Sequence, residues 1–311
     1  QRQMCIRDRG RIMKHRNFLL VALSVLLLGA GLTGCSQKKE ATATPAVTPH
    51  KSQVVTTTMY SKKLHMDWNY DVYLPAGYNP KSSKRYPVLY MLHGIYGNHR
   101  NLLERFNSQQ ILDGEIHRCN KKMIVVFVDG FNSFYINQKQ GGMQMESAIV
   151  DDMVPTINKL YKTETNPKHV GIGGISMGGY GAARLALKYP DIFGNGVLIS
   201  PAVWYRLPNN NPIKTSQYAF QDGKSNWDWK FYDSVFPTRY INSKSEKDKF
   251  FVETTSSDTT VPVKNVDRFV KTLKNHDISV KFVRDNGGNH NWAYWTSAAP
   301  QAYQWALDNL N

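Results

Sequence analysis

The chain has 311 residues, 41% of them hydrophobic and 20% charged, which excludes a disordered, collagenous or multi-span membrane protein. Three cysteines are too few for a disulfide framework. The formal net charge of +15 suits an anionic cell surface or an acidic polymer, and does not by itself indicate nucleic acid.

The N-terminal segment reads as an address. Arg2, Arg7, Arg9, Arg11, Lys14 and Arg16 stand against Asp8 alone, so the first 35 residues supply +5 of the net charge and the rest about +10. Residues 1–12 have no apolar period and read as an upstream addition, with Met13 as the initiator. Lys14, His15 and Arg16 precede an apolar run from Phe18 to Leu28 that is too short to span a bilayer comfortably. Leu32-Thr33-Gly34-Cys35 resembles the bacterial lipobox, whose cysteine is lipidated and becomes the mature N-terminus. A plain signal peptide or one anchor helix is the alternative. Lipidation of Cys35 would hold the chain to the outer face of a membrane without threading it through. Residues 36–53, rich in Thr, Pro and Ala, read as a flexible stalk.

One domain is expected over residues 54–311. Tyr70 to Leu74 alternates and stops at Pro75, as an antiparallel lead-in strand would. Tyr86 to Leu92 and Met123 to Val128 are continuous apolar runs, the pattern of buried parallel strands. Met145 to Tyr161 has helical spacing, with Pro155 bending it. Further strands are predicted at Val170–Gly173, Gly196–Ile199, Phe250–Thr254 and Ser279–Val283. Helices are predicted at Met177–Tyr189, Pro262–Asn275 and Trp292–Leu310. Such alternation predicts an α/β fold with a mostly parallel, doubly wound sheet. Residues 201–248 break the rhythm, with ten aromatics in 48 residues, and predict an inserted lid or a subdomain packing its own aromatics.

Gly174-Ile175-Ser176-Met177-Gly178 fits G-x-S-x-G, with an apolar strand before it and a small-residue helix after it. That context predicts a tight strand–turn–helix with Ser176 at its tip, since glycines on both sides let strand and helix approach. Serine needs a base to take its proton. His290, between the last strand and the last helix, is the candidate; His276 sits before that strand and competes less well. Asp258, after the Phe250–Thr254 strand, is the candidate for orienting the imidazole, with Asp248 and Asp285 as competitors. The order Ser176, Asp258, His290 is that of the α/β-hydrolase fold. Oxyanion donors are expected from the amides of Met177 and Ile95, the latter in the His93-Gly94-Ile95 turn, where the His93 ring is expected only to pack. Trp204, Trp227, Trp229 and Trp292 offer flat apolar faces for a sugar or cinnamoyl ring, or else only pack the insertion. The nine histidines show no metal-ligand spacing, no phosphate loop or RNA-binding motif is visible, and neither metal nor cofactor is expected.

These segments together resemble the esterase D family of α/β-hydrolases, which includes feruloyl esterases, S-formylglutathione hydrolases and mycolyltransferases. The resemblance covers about residues 60–310. It rests on Asp71 to Pro75, Leu92-His93-Gly94, Asp129 to Tyr135 (DGFNSFY), Gly174 to Gly181 (GISMGGYG), and His290 with Trp292 and Trp295. It implies a serine carboxylester hydrolase with the catalytic residues reached above. Ser256-Ser257 before Asp258 departs from the glycine that relatives often carry there. Export favours small or aromatic acyl esters, such as feruloyl or acetyl esters of plant cell-wall polysaccharide, over a cytosolic thioester. An acyltransferase using the same acyl-enzyme, or a non-catalytic polysaccharide-binding protein on the same fold, are the alternatives.

The leader carries its own test. Cys35→Ala is expected to move the protein from membrane to soluble fractions, or to block maturation, as followed by fractionation and blotting. Unchanged partitioning with normal leader removal would refute a lipid anchor at Cys35.

Overall fold

Short apolar, β-branched runs separated by polar turns build one eight-stranded sheet. The computed structural model describes residues 51–311 apart from 140, 208–210, 212, 217 and 222–225. Cys35, the leader and most of the stalk lie outside the described residues. The strands are β1 (Gln53–Ser61), β2 (Met66–Leu74), β3 (Val88–Leu92), β4 (Ile124–Val128), β5 (Val170–Ile175), β6 (Asn195–Ile199), β7 (Lys249–Thr255) and β8 (Ser279–Asp285). Their order is β1-β2-β4-β3-β5-β6-β7-β8. The β1–β2 and β2–β4 pairs are antiparallel, and every pair from β4–β3 to β7–β8 is parallel. The sheet is thus α/β and mostly parallel, as the alternation predicts.

β3, β4, β5 and β6 are buried at every position. Burial on both faces explains their unbroken apolar sequence. Alternate residues feed two cores. Val88, Tyr90 and Leu92 pack on one face with the helix Met177–Lys188; Leu89 and Met91 pack on the other with the closing helix Trp292–Leu310. Each fully buried Leu or Phe adds roughly 1.5–3 kcal/mol of apolar transfer. Val263–Asn275 is amphipathic, burying Val266, Phe269, Val270 and Leu273 at i, i+3, i+4 and i+7.

Three stretches differ from the sequence reading. β1 was not predicted; its pairing with β2 runs from Gln53↔Leu74 to Ser61↔Met66, beginning at the last residue assigned to the stalk. Arg100–Arg105 and Ser108–Cys119 are helices joined through Asn107 in the left-handed conformation. The predicted helix from Met145 is three continuous pieces: α-helical Met145–Ser147, π-helical Ala148–Met153 and α-helical Val154–Leu160. Pro155 has no N–H and its ring would crowd the carbonyl four residues back, so the wider turn just before it relieves the clash.

The insertion is fixed to the helix Met177–Lys188 by a buried arginine that is itself ion-paired. Arg184, 2% exposed, reaches Glu146 at 2.5 Å, while its Nε donates to the Val235 carbonyl at 3.0 Å and its Nη2 to Tyr240 Oη at 3.1 Å. Lys188 and Tyr189 also donate to Glu146. Burial pushes the Glu146 carboxyl up, but Arg184, Lys188 and Tyr189 together hold it below its ordinary value. Removing one member of such a pair leaves a charge buried without compensation. Arg184→Met is expected to destabilise the fold by about 3–5 kcal/mol, lowering Tm by roughly 10 °C. A calorimetric shift under about 2 °C would show that the insertion is held by other contacts.

Candidate active site

Ser176 stands at the junction of β5 and the helix Met177–Lys188, with φ 50° and ψ −114°. A non-glycine residue with this backbone is strained and persists only where its surroundings over-determine it. Here they do. Ser176 N–H donates to the Ile199 carbonyl at 3.0 Å, and the Ser176 carbonyl accepts from Tyr180 and Ala202, both at 3.0 Å. Gly178 lies so close to β3 that a Cβ there would come within 2.0 Å of the Leu92 carbonyl oxygen; at Gly174 it would come within 2.3 Å of the same oxygen. Glycine is therefore required on both sides of the serine by contact distance.

The turn aims Ser176 Oγ at His290. Oγ and Nε2 are 2.8 Å apart, and His290 Nδ1 is 2.7 Å from Asp258 Oδ2. Asp258 is almost fully buried, and its other oxygen accepts from the amides of Thr260 (2.9 Å) and Val261 (2.7 Å). Three donors thus fix one carboxylate. The sequence reading did not identify Asn289, which joins the two loops: its Oδ1 accepts from the His290 amide at 2.8 Å and from the Thr259 amide at 3.2 Å. The Trp295 ring meets the imidazole edge-on at 5.0 Å.

The Gly94–Ile95 turn faces this hydrogen-bonded chain. Among the described residues, the amides of Ile95 and Met177 have no protein acceptor. His93 lies beneath the turn, 1% exposed. Its Nε2 accepts from the Gly130 amide at 2.8 Å, so Nδ1 carries the proton and donates to the Gly94 carbonyl at 2.6 Å. The ring is a brace for the turn, as its packing role predicts. The segment Asp129 to Tyr135 has a function in this brace that its sequence did not disclose. Tyr135 Oη donates to the His93 carbonyl at 3.0 Å, and Asn132 Oδ1 accepts from the Tyr96 amide at 2.7 Å.

Ser176 and His290 open into a cavity of about 440 Å³. Ile95, Phe134, Trp204, Ile213 and Trp292 are among the residues that line it. Two of the four predicted tryptophans are therefore at the cavity: Trp292 on the closing helix, and Trp204, whose indole N–H donates to the Thr260 carbonyl beside the acid at 2.8 Å. Trp227 and Trp229 are the correction. They are not among its described lining residues; they pack edge-on with one another, Trp229 also edge-on against Tyr232, and Trp227 lies tilted against Tyr232 and Phe220. The insertion's aromatics form a satellite core continuous with Tyr180 and Phe134, because large flat rings on a short irregular segment are better shielded by each other than by water.

The family model "Esterase", described as "Putative esterase", matches residues 61–306. An endo-1,4-beta-xylanase/feruloyl esterase of Xylanibacter ruminicola is 31% identical over 157 residues, which is 48% of this chain but only 22% of that enzyme. An acetyl esterase of Caldicellulosiruptor saccharolyticus is 25% identical over 276 residues, 81% of this chain and 97% of that one. A solved ferulic acid esterase has the same fold, with TM-score 0.71 and 24% identity over 84% of this chain and 100% of its own.

The competing acids are placed elsewhere. Asp248 precedes β7, at the strand's opposite end from Asp258. Asp285 ends β8 and accepts from Tyr294 Oη at 2.7 Å, next to Glu253 of β7. Glu253 is 4% exposed, and its carboxyl is pushed up to about 8, first by burial and second by Asp285. The folded protein keeps that proton up to about 8, whereas the unfolded chain releases it near 4.5, so folded stability falls as pH rises across that interval. Glu253→Gln keeps the shape and removes the ionisation. Its Tm relative to wild type is expected to increase by several degrees between about pH 5 and about pH 9. A difference independent of pH would show that Glu253 is ionised in the fold throughout.

Proposed function

The chain belongs to this esterase family, and on that premise we propose that it is a serine carboxylester hydrolase of small or aromatic acyl esters, with feruloyl or acetyl esters of plant cell-wall polysaccharide as its substrates. The observation that carries the reading is the hydrogen-bonded chain Ser176 Oγ–His290–Asp258, at 2.8 and 2.7 Å, opening into the cavity.

In this reading Ser176 Oγ attacks the ester carbonyl while His290 Nε2 takes its proton. Asp258, held by the amides of Thr260 and Val261, keeps the His290 proton on Nδ1 and stabilises the imidazolium. The negative charge that develops on the carbonyl oxygen is met by the amides of Ile95 and Met177, the latter at the positive end of the helix Met177–Lys188. His290 returns its proton to the departing alkoxide, leaving an acyl-serine and a free alcohol. Water, deprotonated by His290, then attacks the acyl carbon and regenerates Ser176 with release of the acid. The two relatives act, by their names, on feruloyl and acetyl esters, and Trp204 and Trp292 supply apolar walls for acyl groups of that size. Placement on the outer face of a bacterial membrane through Cys35 is part of the same proposal.

Hydrolysis of 4-nitrophenyl acetate and methyl ferulate tests it. Ser176→Ala and His290→Ala are each expected to reduce kcat by about 10³–10⁶ with unchanged circular dichroism. Asp258→Asn is expected to cost on the order of 10⁴, by analogy with serine proteases. Near wild-type turnover by Asp258→Asn, with Asp285→Asn inactive, would assign the orienting role to the other acid.

A further inference from the structure

The described cavity lining contains no carboxylate and one permanent cation, Arg105. Arg105 is the last residue of the helix Arg100–Arg105, and its side chain is exposed. Among the described residues it makes no ion pair, because the adjacent Glu104 is taken by Arg100 at 2.6 Å. Its guanidinium lies over the Trp292 ring, 4.5 Å from the centroid. Trp292 is in turn held edge-on by Phe106 at 5.9 Å and by Trp295 at 5.3 Å, and Trp295 contacts His290 at 5.0 Å. A single aromatic stack thus runs from the catalytic imidazole to the guanidinium, with two indoles between them.

A guanidinium laid on an indole has its orientation fixed and one face shielded from water. Its N–H edge remains free, and that edge matches a carboxylate in a two-point contact. A helix C-terminus favours a cation in its last turn, which accounts for a basic residue at this position but not for its placement on Trp292 in the cavity wall. A neutral ester would leave the guanidinium no partner beyond water.

Resting on the esterase reading, we propose that Arg105 is a specificity residue that binds a carboxylate carried by the substrate beyond its scissile ester. Two sources share this chemistry: a uronic acid on the alcohol side, or the free acid of a dicarboxylic acyl group. The basic character of the chain beyond its first 35 residues, about +10, is consistent with an acidic polymer as the alcohol.

Substrates matched except for one charge provide the test. The first pair is an O-acetylated xylo-oligosaccharide bearing glucuronic acid and the same compound with its uronate methyl-esterified. The second pair is 4-nitrophenyl hemisuccinate and 4-nitrophenyl butyrate. Wild type is expected to prefer the charged member of one pair by about tenfold in kcat/KM, the effect of one charge-assisted two-point contact. The preference should shrink between about 20 mM and about 500 mM NaCl. Preference within the first pair places the carboxylate on the alcohol, and within the second on the acyl group. Arg105→Met should abolish the preference, and Arg105→Lys should retain part of it, since lysine keeps the charge without the two-point edge. Equal kcat/KM within both pairs for wild type, or a preference that survives Arg105→Met, overturns the inference and leaves the esterase reading standing. Failure of wild type to hydrolyse any of the four overturns the esterase reading itself.

Discussion

Contact between two backbones governs this molecule. β5 and the helix that follows it meet β3 so closely that neither Gly174 nor Gly178 can carry a Cβ. Between those glycines the chain must reverse within one residue, and Ser176 takes a positive φ to do it. The helix then starts at Met177, aiming unsatisfied amides and the positive end of its dipole at the same point as the serine hydroxyl. The serine hydroxyl and the free amide at the helix start are thus products of one local geometry. Its strain is offset by bonds from β6 and the segment after it: the Ile199 carbonyl, the Ala202 amide and the close approach of Pro201 to Gly179.

The remaining groups are brought to that point by loops that fasten to each other. The acid loop and the base loop leave adjacent parallel strands, β7 and β8, so they emerge side by side. They are joined by Ser256 to the Asp285 carbonyl, Ser257 to the Asn286 carbonyl, and Thr259 to Asn289. Trp204 links the insertion to the same loop through Thr260. The insertion's own mass is directed inward: its rings and the hydrogen bonds from Arg184 to Val235 and Tyr240 make it part of the core, and it meets the cavity through Trp204 and Ile213.

Much of this was legible in the sequence for physical reasons. Strands buried on both faces have to be apolar throughout, so β3, β4 and β5 announce themselves. A strained turn between strand and helix has to be glycine-flanked, so Ser176 does too. That Asp258 and His290 meet Ser176 follows from chain order on a doubly wound sheet. What stayed hidden lacked such constraints. β1 is an edge strand with partly exposed threonines, whose alternation is diluted by polar residues on both faces. The helices at 100–119 pair short apolar stripes with abundant polar residues, interrupted by Asn107. A tryptophan gives the same sequence signal whether it lines a groove or fills a satellite core, so Trp204 and Trp292 could not be told from Trp227 and Trp229. The service of Asn132, Tyr135 and Asn289 depends on contacts distant in sequence, which no local pattern encodes.

The position of β1 has a mechanical consequence. The described chain enters the sheet at its outer edge, and the first strand pairs only with β2. Serine, acid and base hang from β5, β7 and β8, toward the far edge; with strands about 4.8 Å apart, roughly 20–35 Å separate them from β1. Tension arriving from the N-terminal side is therefore borne first by the β1–β2 ladder. That hairpin acts as a strain relief: it can peel away from Gln53 onward while the six parallel strands beyond it, with the elbow they clamp, stay unloaded.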